Sequence, residues 1–147
     1  MFKIIVVVVS YLITFVTQAQ IENNPTSMPP AGRVKAGVQN IRTNNGTVHF
    51  AIYNLQKSFN DRSALSGQKA TVKDNCAEKI FENLPLYTND IVCFHDANDN
   101  AAMEIDSGGM PLDGYGISAN ERSFETPKFD DAKFELKDKD VTFEIIF

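Results

Sequence analysis

The sequence predicts an all-β fold, an antiparallel β-sandwich that carries one long acidic, glycine-rich loop. Three observations predict it. Short stretches alternate apolar and polar residues with a period of two, turn-forming residues separate them, and no long segment shows helical spacing. The 11 Phe residues and the absence of Trp suit a core of aliphatic and phenyl groups.

The first residues lie outside this domain. Lys3 supplies a minimal positive start, and Ile4 to Val16 form an apolar run interrupted by Ser10, Tyr11 and Thr14. Thr17-Gln18-Ala19 presents small residues where a signal peptidase reads, so residues 1–19 are expected to be a signal peptide cleaved before Gln20. The apolar run is shorter than the roughly 20 residues a spanning helix needs, which speaks against a stable membrane insertion. Residues 20–33, with Asn23-Asn24-Pro25 and Pro29-Pro30, read as a flexible leader, and residues 34–147 as the sandwich domain.

Within the domain, Val34, Ala36 and Val38 alternate with Lys35, Gly37 and Gln39 as a first strand. Thr43-Asn44-Asn45-Gly46 signals a turn, because Asn-Gly accepts the positive φ of tight hairpins. Val48, Phe50 and Ile52 then alternate with His49, Ala51 and Tyr53, and the pair is expected to form a β-hairpin. Asn45-Gly46-Thr47 is also a glycosylation sequon, relevant in a eukaryotic secretory pathway. Residues 54–69 are polar, with Phe59 and Leu65 isolated, and read as a long connection with a short helical turn before an edge strand at Thr71-Val72. Residues 77–84 are strand-like and end at Pro85. Ile91-Val92-Cys93-Phe94 is continuously apolar, as a central strand buried on both faces should be. Ala132, Phe134 and Leu136, then Val141, Phe143, Ile145 and Phe147, alternate around a charged turn and predict a C-terminal hairpin.

Charge narrows the function classes. The whole chain carries −5. Removing Lys3 with the signal leaves 13 basic against 19 acidic side chains, a net charge of −6. Nucleic acid and anionic membrane surfaces are therefore poor partners. Export to an oxidising compartment makes Cys76 and Cys93 a candidate disulfide, with two buried free thiols as the alternative.

The central strand delivers His95 and Asp96 to the most informative segment, residues 95–118. Asp96, Asn98 and Asn100 place short oxygen-bearing side chains at alternate positions, so a curled backbone can converge them on a hard cation. They match positions one, three and five of a calcium loop, where Ala102 would offer its carbonyl at seven and Glu104 would act at nine. Asp106 is a possible extra acid. Against calcium, Ala101 stands where a sharp-turn glycine is usual, and Ser107 stands where a terminal bidentate glutamate would. The plainer reading is a loop closed by Asx turns, in which Asp and Asn bond their own backbone. His95, Gly109, Pro111, Gly114, Tyr115 and Gly116 read as loop-shaping residues, with Tyr115 as packing or as a platform for a sugar or peptide.

Taken in order, His95-Asp96-x-Asn98-x-Asn100, Gly109-Met110-Pro111, Gly114-Tyr115-Gly116-Ile117-Ser118 and Pro127-x-Phe129-x-Asp131-Ala132-x-Phe134-x-Leu136 resemble the secreted bacterial family called domain of unknown function 2141. The resemblance covers residues 34–147 and rests on the order and spacing of all four blocks. It implies an exported β-sandwich similar to prealbumin-like and carboxypeptidase regulatory-like domains, and no reaction; the expected fold is a sandwich of prealbumin or immunoglobulin-like type. The chain departs from the family pattern at Tyr87 and Asn89 in the turn after Pro85, at Ala101, and at Glu104.

Catalytic readings find little to build on. Glu104 and Asp106 could be paired carboxylates, yet solvated loops are often acidic. Ser118 lacks a nucleophile-elbow setting. His95 and Asp96 are adjacent on a strand and should face opposite ways. His49, His95, Cys76 and Cys93 have no zinc-type spacing. The expected function is therefore an exported, non-catalytic binding or accessory module, periplasmic or extracellular, with Ca²⁺ as its candidate cofactor and an envelope or extracellular protein or glycan as partner. The alternatives are a hydrolase of envelope or extracellular polymers and a transthyretin-like carrier of a small apolar ligand.

Overall fold

The computed structural model describes residues 31–119, 128–137 and 139–147. The expected signal peptide and most of the leader lie outside the described residues. The chain builds two sheets packed face to face, as an all-β sandwich. In chain order the elements are β1 (Ala31–Gln39), β2 (Thr47–Tyr53), α1 (Gln56–Asn60), β3 (Ser66–Thr71), β4 (Ala77–Pro85), β5 (Thr88–Asp96), β6 (Tyr115–Ile117), α2 (Phe129–Ala132), β7 (Phe134–Glu135) and β8 (Asp140–Ile146). One sheet has the order β4-β1-β8 and the other β3-β2-β5-β6, with β7 pairing β5.

Alternation decides what each strand buries. Val34, Ala36 and Val38 of β1 face Val48, Phe50 and Ile52 of β2 across the interior, joined by Phe81, Ile91, Cys93 and Ile145. Each fully buried aliphatic or phenyl side chain contributes roughly 1.5–3 kcal/mol, which makes this layer the main source of stability. The two sheets also approach at their edges. At one seam the Gln68 side-chain amide crosses between the sheets, its Nε2 donating to the Ile80 carbonyl at 3.1 Å. At the other seam a Cβ on Gly116 would stand 2.3 Å from Ile145 Cγ2 and 3.4 Å from the Ile146 carbonyl. Glycine there lets β6 pass close to β8.

Several expected pairings are replaced. β1 and β2 do not form a hairpin, because they belong to different sheets. Asn40 takes φ +62°, and Ile41 turns into the core at 1% exposure. The Ile41 amide and carbonyl both bond Asn75, so residues 40–46 arch between sheets instead of folding back. The C-terminal hairpin is also absent. β8 runs parallel to β1 with Val34 opposite Val141, and β7 pairs with β5. Ala132 lies in α2, not in a strand, and is buried with Phe129 on one side of a single helical turn. The polar stretch before Thr71 contains the expected helical turn as α1, but it also supplies β3, an edge strand whose single buried residue, Ala70, gives no apolar alternation to read. β1 starts at Ala31, inside the segment read as leader.

The central-strand reading holds for β5, which lies between β2 and β6 and brings His95 and Asp96 to the loop.

Candidate functional site

β5 ends where the long loop begins, and the side chains there divide by face. His95 faces the core and is buried. Its Nε2 lies 2.7 Å from the Asn45 carbonyl, so it holds the arch after β1, while its backbone amide donates to the Gly114 carbonyl at 2.8 Å. Asp96 faces the outer side of its sheet and is 2% exposed. The backbone amide of Asn100 donates to its Oδ1 at 3.0 Å, and that of Ala101 to its Oδ2 at 2.8 Å.

The histidine beside Asp96 is His49, a neighbour the sequence did not reveal. The β2–β5 register sets His49 opposite Phe94 and Thr47 opposite Asp96. His49 Nε2 consequently sits 3.1 Å from Asp96 Oδ2, and its ring lies 4.7 Å from that of Phe94. Burial lowers the His49 pKa, with Lys69 across the β2–β3 pair adding to it and Asp96 opposing it. His49 is thus held toward its neutral form, with Nε2 facing the Asp96 carboxylate. Burial alone would raise the Asp96 pKa; the two backbone amides and His49 outweigh it, so the pKa is lowered.

Beyond Asp96 the loop is closed by its own side chains. Asn98 Oδ1 accepts from the Asn100 amide at 3.2 Å and Asn100 Oδ1 from the Ala102 amide at 2.9 Å. Glu104 Oε1 accepts from the side-chain amides of Asn98 at 3.0 Å and Asn100 at 3.4 Å. These are the Asx turns of the plainer reading. Asp99 and Ala101 take φ +56° and +63°, so alanine occupies the left-handed position that usually falls to glycine. Thr47 Oγ1 donates to Asp99 Oδ1 at 3.2 Å, a second link to β2. Gly46 fits under this corner because a Cβ there would come 2.0 Å from the Asp96 carbonyl.

Asp106 belongs to a separate bend. Its Oδ1 accepts the amides of Gly108 at 2.8 Å and Met110 at 2.9 Å, and Gly109 turns at φ +86°. An isolated bridge joins Ile105 to Pro111, and the Leu112 amide donates to the Glu104 carbonyl at 2.8 Å. Asp113, which sequence reasoning also missed, accepts the Glu104 amide at 2.7 Å. Residues 104–112 therefore form a short, internally bonded arm. It carries Ile105 and Leu112 outward at 40% and 66% exposure. Gly114 packs against the Phe147 ring, Tyr115 pairs opposite Phe94, and Gly116 lies in the β6–β8 seam, so all three shape the base of the arm.

The candidate oxygen ligands are thus partly gathered. Asp96, Asn98, Asn100 and Glu104 share one hydrogen-bonded cluster, with Ala102 joined through its amide, and Asp106 stands apart. Among the described residues no group of three or more His, Cys, Asp and Glu is placed to hold a metal. A calcium site here would draw on Asn and backbone oxygens beside Asp96 and Glu104, and the left-handed Ala101 supplies the sharp turn that such a loop requires.

The candidate disulfide is not formed. Cys93 is buried in the core, with its Sγ 3.6 Å from the Gly116 carbonyl, and burial pushes its thiol pKa up. Cys76 is exposed at the β3–β4 turn. One cysteine faces the interior and the other solvent, a separation that strand alternation does not disclose. Elsewhere, a shallow groove of about 540 Å³ is lined by residues including Lys35, Gly37, Lys73, Glu78 and Glu144. No helix among the described residues is long and apolar enough to cross a membrane.

Comparison with known families adds one identification. The family model described as "Uncharacterized protein conserved in bacteria (DUF2141)" matches residues 37–144, and the chain belongs to that family. No curated protein and no solved structure matches it.

Proposed function

We propose that this member of the DUF2141 family is an exported, non-catalytic binding or accessory module that presents the arm of residues 104–112 to an envelope or extracellular protein or glycan. The observation that carries this reading is the arm itself. Its backbone is tied by Asp106, Asp113 and the Ile105–Pro111 bridge, yet it holds two large apolar side chains in solvent. A preorganised segment loses little entropy when a partner covers it. The acids are occupied as acceptors within the loop: Glu104 serves the Asn pair and Asp106 its own turn. That division favours presentation over a catalytic pair, which would need both groups to converge on one bond.

The test compares the full exported chain with an Ile105→Ser, Leu112→Ser variant for crosslinked partners in envelope extracts. A partner identified with the original chain and lost with an equally stable variant supports the module. Turnover of glycosides, esters or peptides that disappears in Glu104→Gln would replace it with the hydrolase reading.

A calcium-stabilised loop is the second reading, favoured by the left-handed Ala101 within the Asp96–Asn98–Asn100 turn. Extracellular calcium modules bind at roughly 10⁻⁴ to 10⁻³ M. At about 1 mM ion this gives about 0.4–1.4 kcal/mol. The expected outcome is a Tm a few degrees higher in calcium than in chelator, with the difference lost in Asn98→Ala. An unchanged Tm and no heat of binding remove calcium and leave the module reading intact.

A further inference from the structure

Asp90 is wholly buried, and among the described residues neither of its carboxylate oxygens has a hydrogen-bond partner. Its place on β5 shows what buries it. Ile91 and Cys93 point into the core, so Asp90 points out of the sandwich, beside its cross-strand partner Tyr53. A side chain that leaves the sandwich yet meets no solvent lies under a second cover. Among the described residues, α1 and α2 pack at this end of the outer face. The ring of Phe59 on α1 stands 5.3 Å from that of Tyr53 and 6.1 Å from that of Phe129 on α2. Ser118 fastens α2 to β5: its hydroxyl donates to the Ala132 carbonyl and accepts the Ile91 amide at 3.2 Å. The cover is slight. The helices are five and four residues long, and neither has a side-chain N-cap bond.

We propose that the α1–α2 cover over Asp90 is a pH-operated latch, closed while the carboxyl keeps its proton and loosened when it ionises, which uncovers the Tyr53–Phe59–Phe129 strip. A charged carboxylate without donors is strongly disfavoured in a dry site, whereas the neutral acid is tolerated. Single helical turns with few anchors are the part of a fold that opens at least expense to the rest. Burial pushes the Asp90 pKa up to about 7, which puts the transition near neutrality.

The surrounding charges leave Asp90 unpaired. Tyr53 lies on β2, and its own pKa is raised by burial first and Asp90 second, with Arg62 opposing. Lys57 and Asp61 at α1 pair with each other, and Asp130 pairs with Lys133 across α2 at 2.6 Å. Lys128, Asp131 and Glu135 complete the charged groups of α2, its N-cap and β7. Asp90 bonds to none of them. Glu121, Arg122 and Glu125 lie outside the described residues.

Hydrogen exchange of the full chain at pH 5.5 and 8.0, corrected for intrinsic rates, tests the latch. Protection of the α1 and α2 amides should fall at least about tenfold at the higher pH, and Asp90→Asn should remove that fall. Carboxyl NMR should place the Asp90 midpoint near 7. Equal protection at both pH values, or the same fall in Asp90→Asn, overturns the proposal. Should the variant not fold, a wild-type carboxyl midpoint below about 5 overturns it as well.

Discussion

Asp90 and Asp96 stand at opposite ends of one face of β5, both buried, and they titrate in opposite directions. Asp96 accepts two backbone amides and meets His49, and its pKa falls. Asp90 has no hydrogen-bond partner among the described residues, and burial carries its pKa up to about 7. Depth of burial is therefore a poor guide to the state of a carboxyl group. The donors delivered by the chain decide it, and the loop after Asp96 delivers them by curling back on itself.

The largest expected effect separates the two ends by pH. The folded chain retains a proton on Asp90 that the unfolded chain releases above about 3.9. The contribution of Asp90 to stability is therefore full below that value, declines as pH rises to about 7, and levels off beyond. Three pKa units correspond to about 4 kcal/mol. Urea unfolding of wild type at pH 4.5 and 8 should show most of this difference, and Asp90→Asn should abolish most of the slope. A flat wild-type profile would mean that the two aspartates are alike after all. Asp96 has the opposite sign. Its contribution is present above the unfolded value near 3.9 and is lost as pH falls through its lower folded value.

Next in size is Asp96→Ala, which leaves the Asn100 and Ala101 amides without their acceptor. A loss of about 2–3 kcal/mol at pH 7 is expected in urea or thermal unfolding. A loss under about 0.5 kcal/mol would show that the Asn turns alone hold the loop and that Asp96 is as isolated as Asp90. The smallest effect sharpens the comparison from the backbone side. Ala101 holds φ +63°, so Ala101→Gly should stabilise the protein by about 1 kcal/mol, seen as a Tm higher by several degrees. An unchanged or lower Tm would place the left-handed turn elsewhere in the loop.

Part of the site was legible in the chain. Asp96, Asn98 and Asn100 at alternate positions announce a curled, oxygen-lined loop, and short polar side chains bond amides two to five residues away whatever the rest of the fold does. His49 could not be read in the same way. It lies across a strand pair whose register depends on the whole sheet. Asp113 was hidden for a related reason, since it reaches the Glu104 amide across the arm. Asp90 adjoins the apolar run Ile91–Phe94, and nothing local marks it as buried; α1 and α2, which pack at its end of the outer face, arrive from other parts of the chain.

By itself the sequence determined the all-β class, the inward faces of β1, β2 and β5, and the self-bonded loop. Each follows from residues close together in the chain, through strand alternation or Asx turns. Tertiary structure alone decided that β1 and β2 occupy different sheets, that β8 returns parallel to β1, that Cys76 and Cys93 stay apart, and that two identical carboxyl groups on one strand meet opposite environments. A period of two tells a side chain which face to take, but its neighbours across the sheet are chosen by packing between segments distant in sequence.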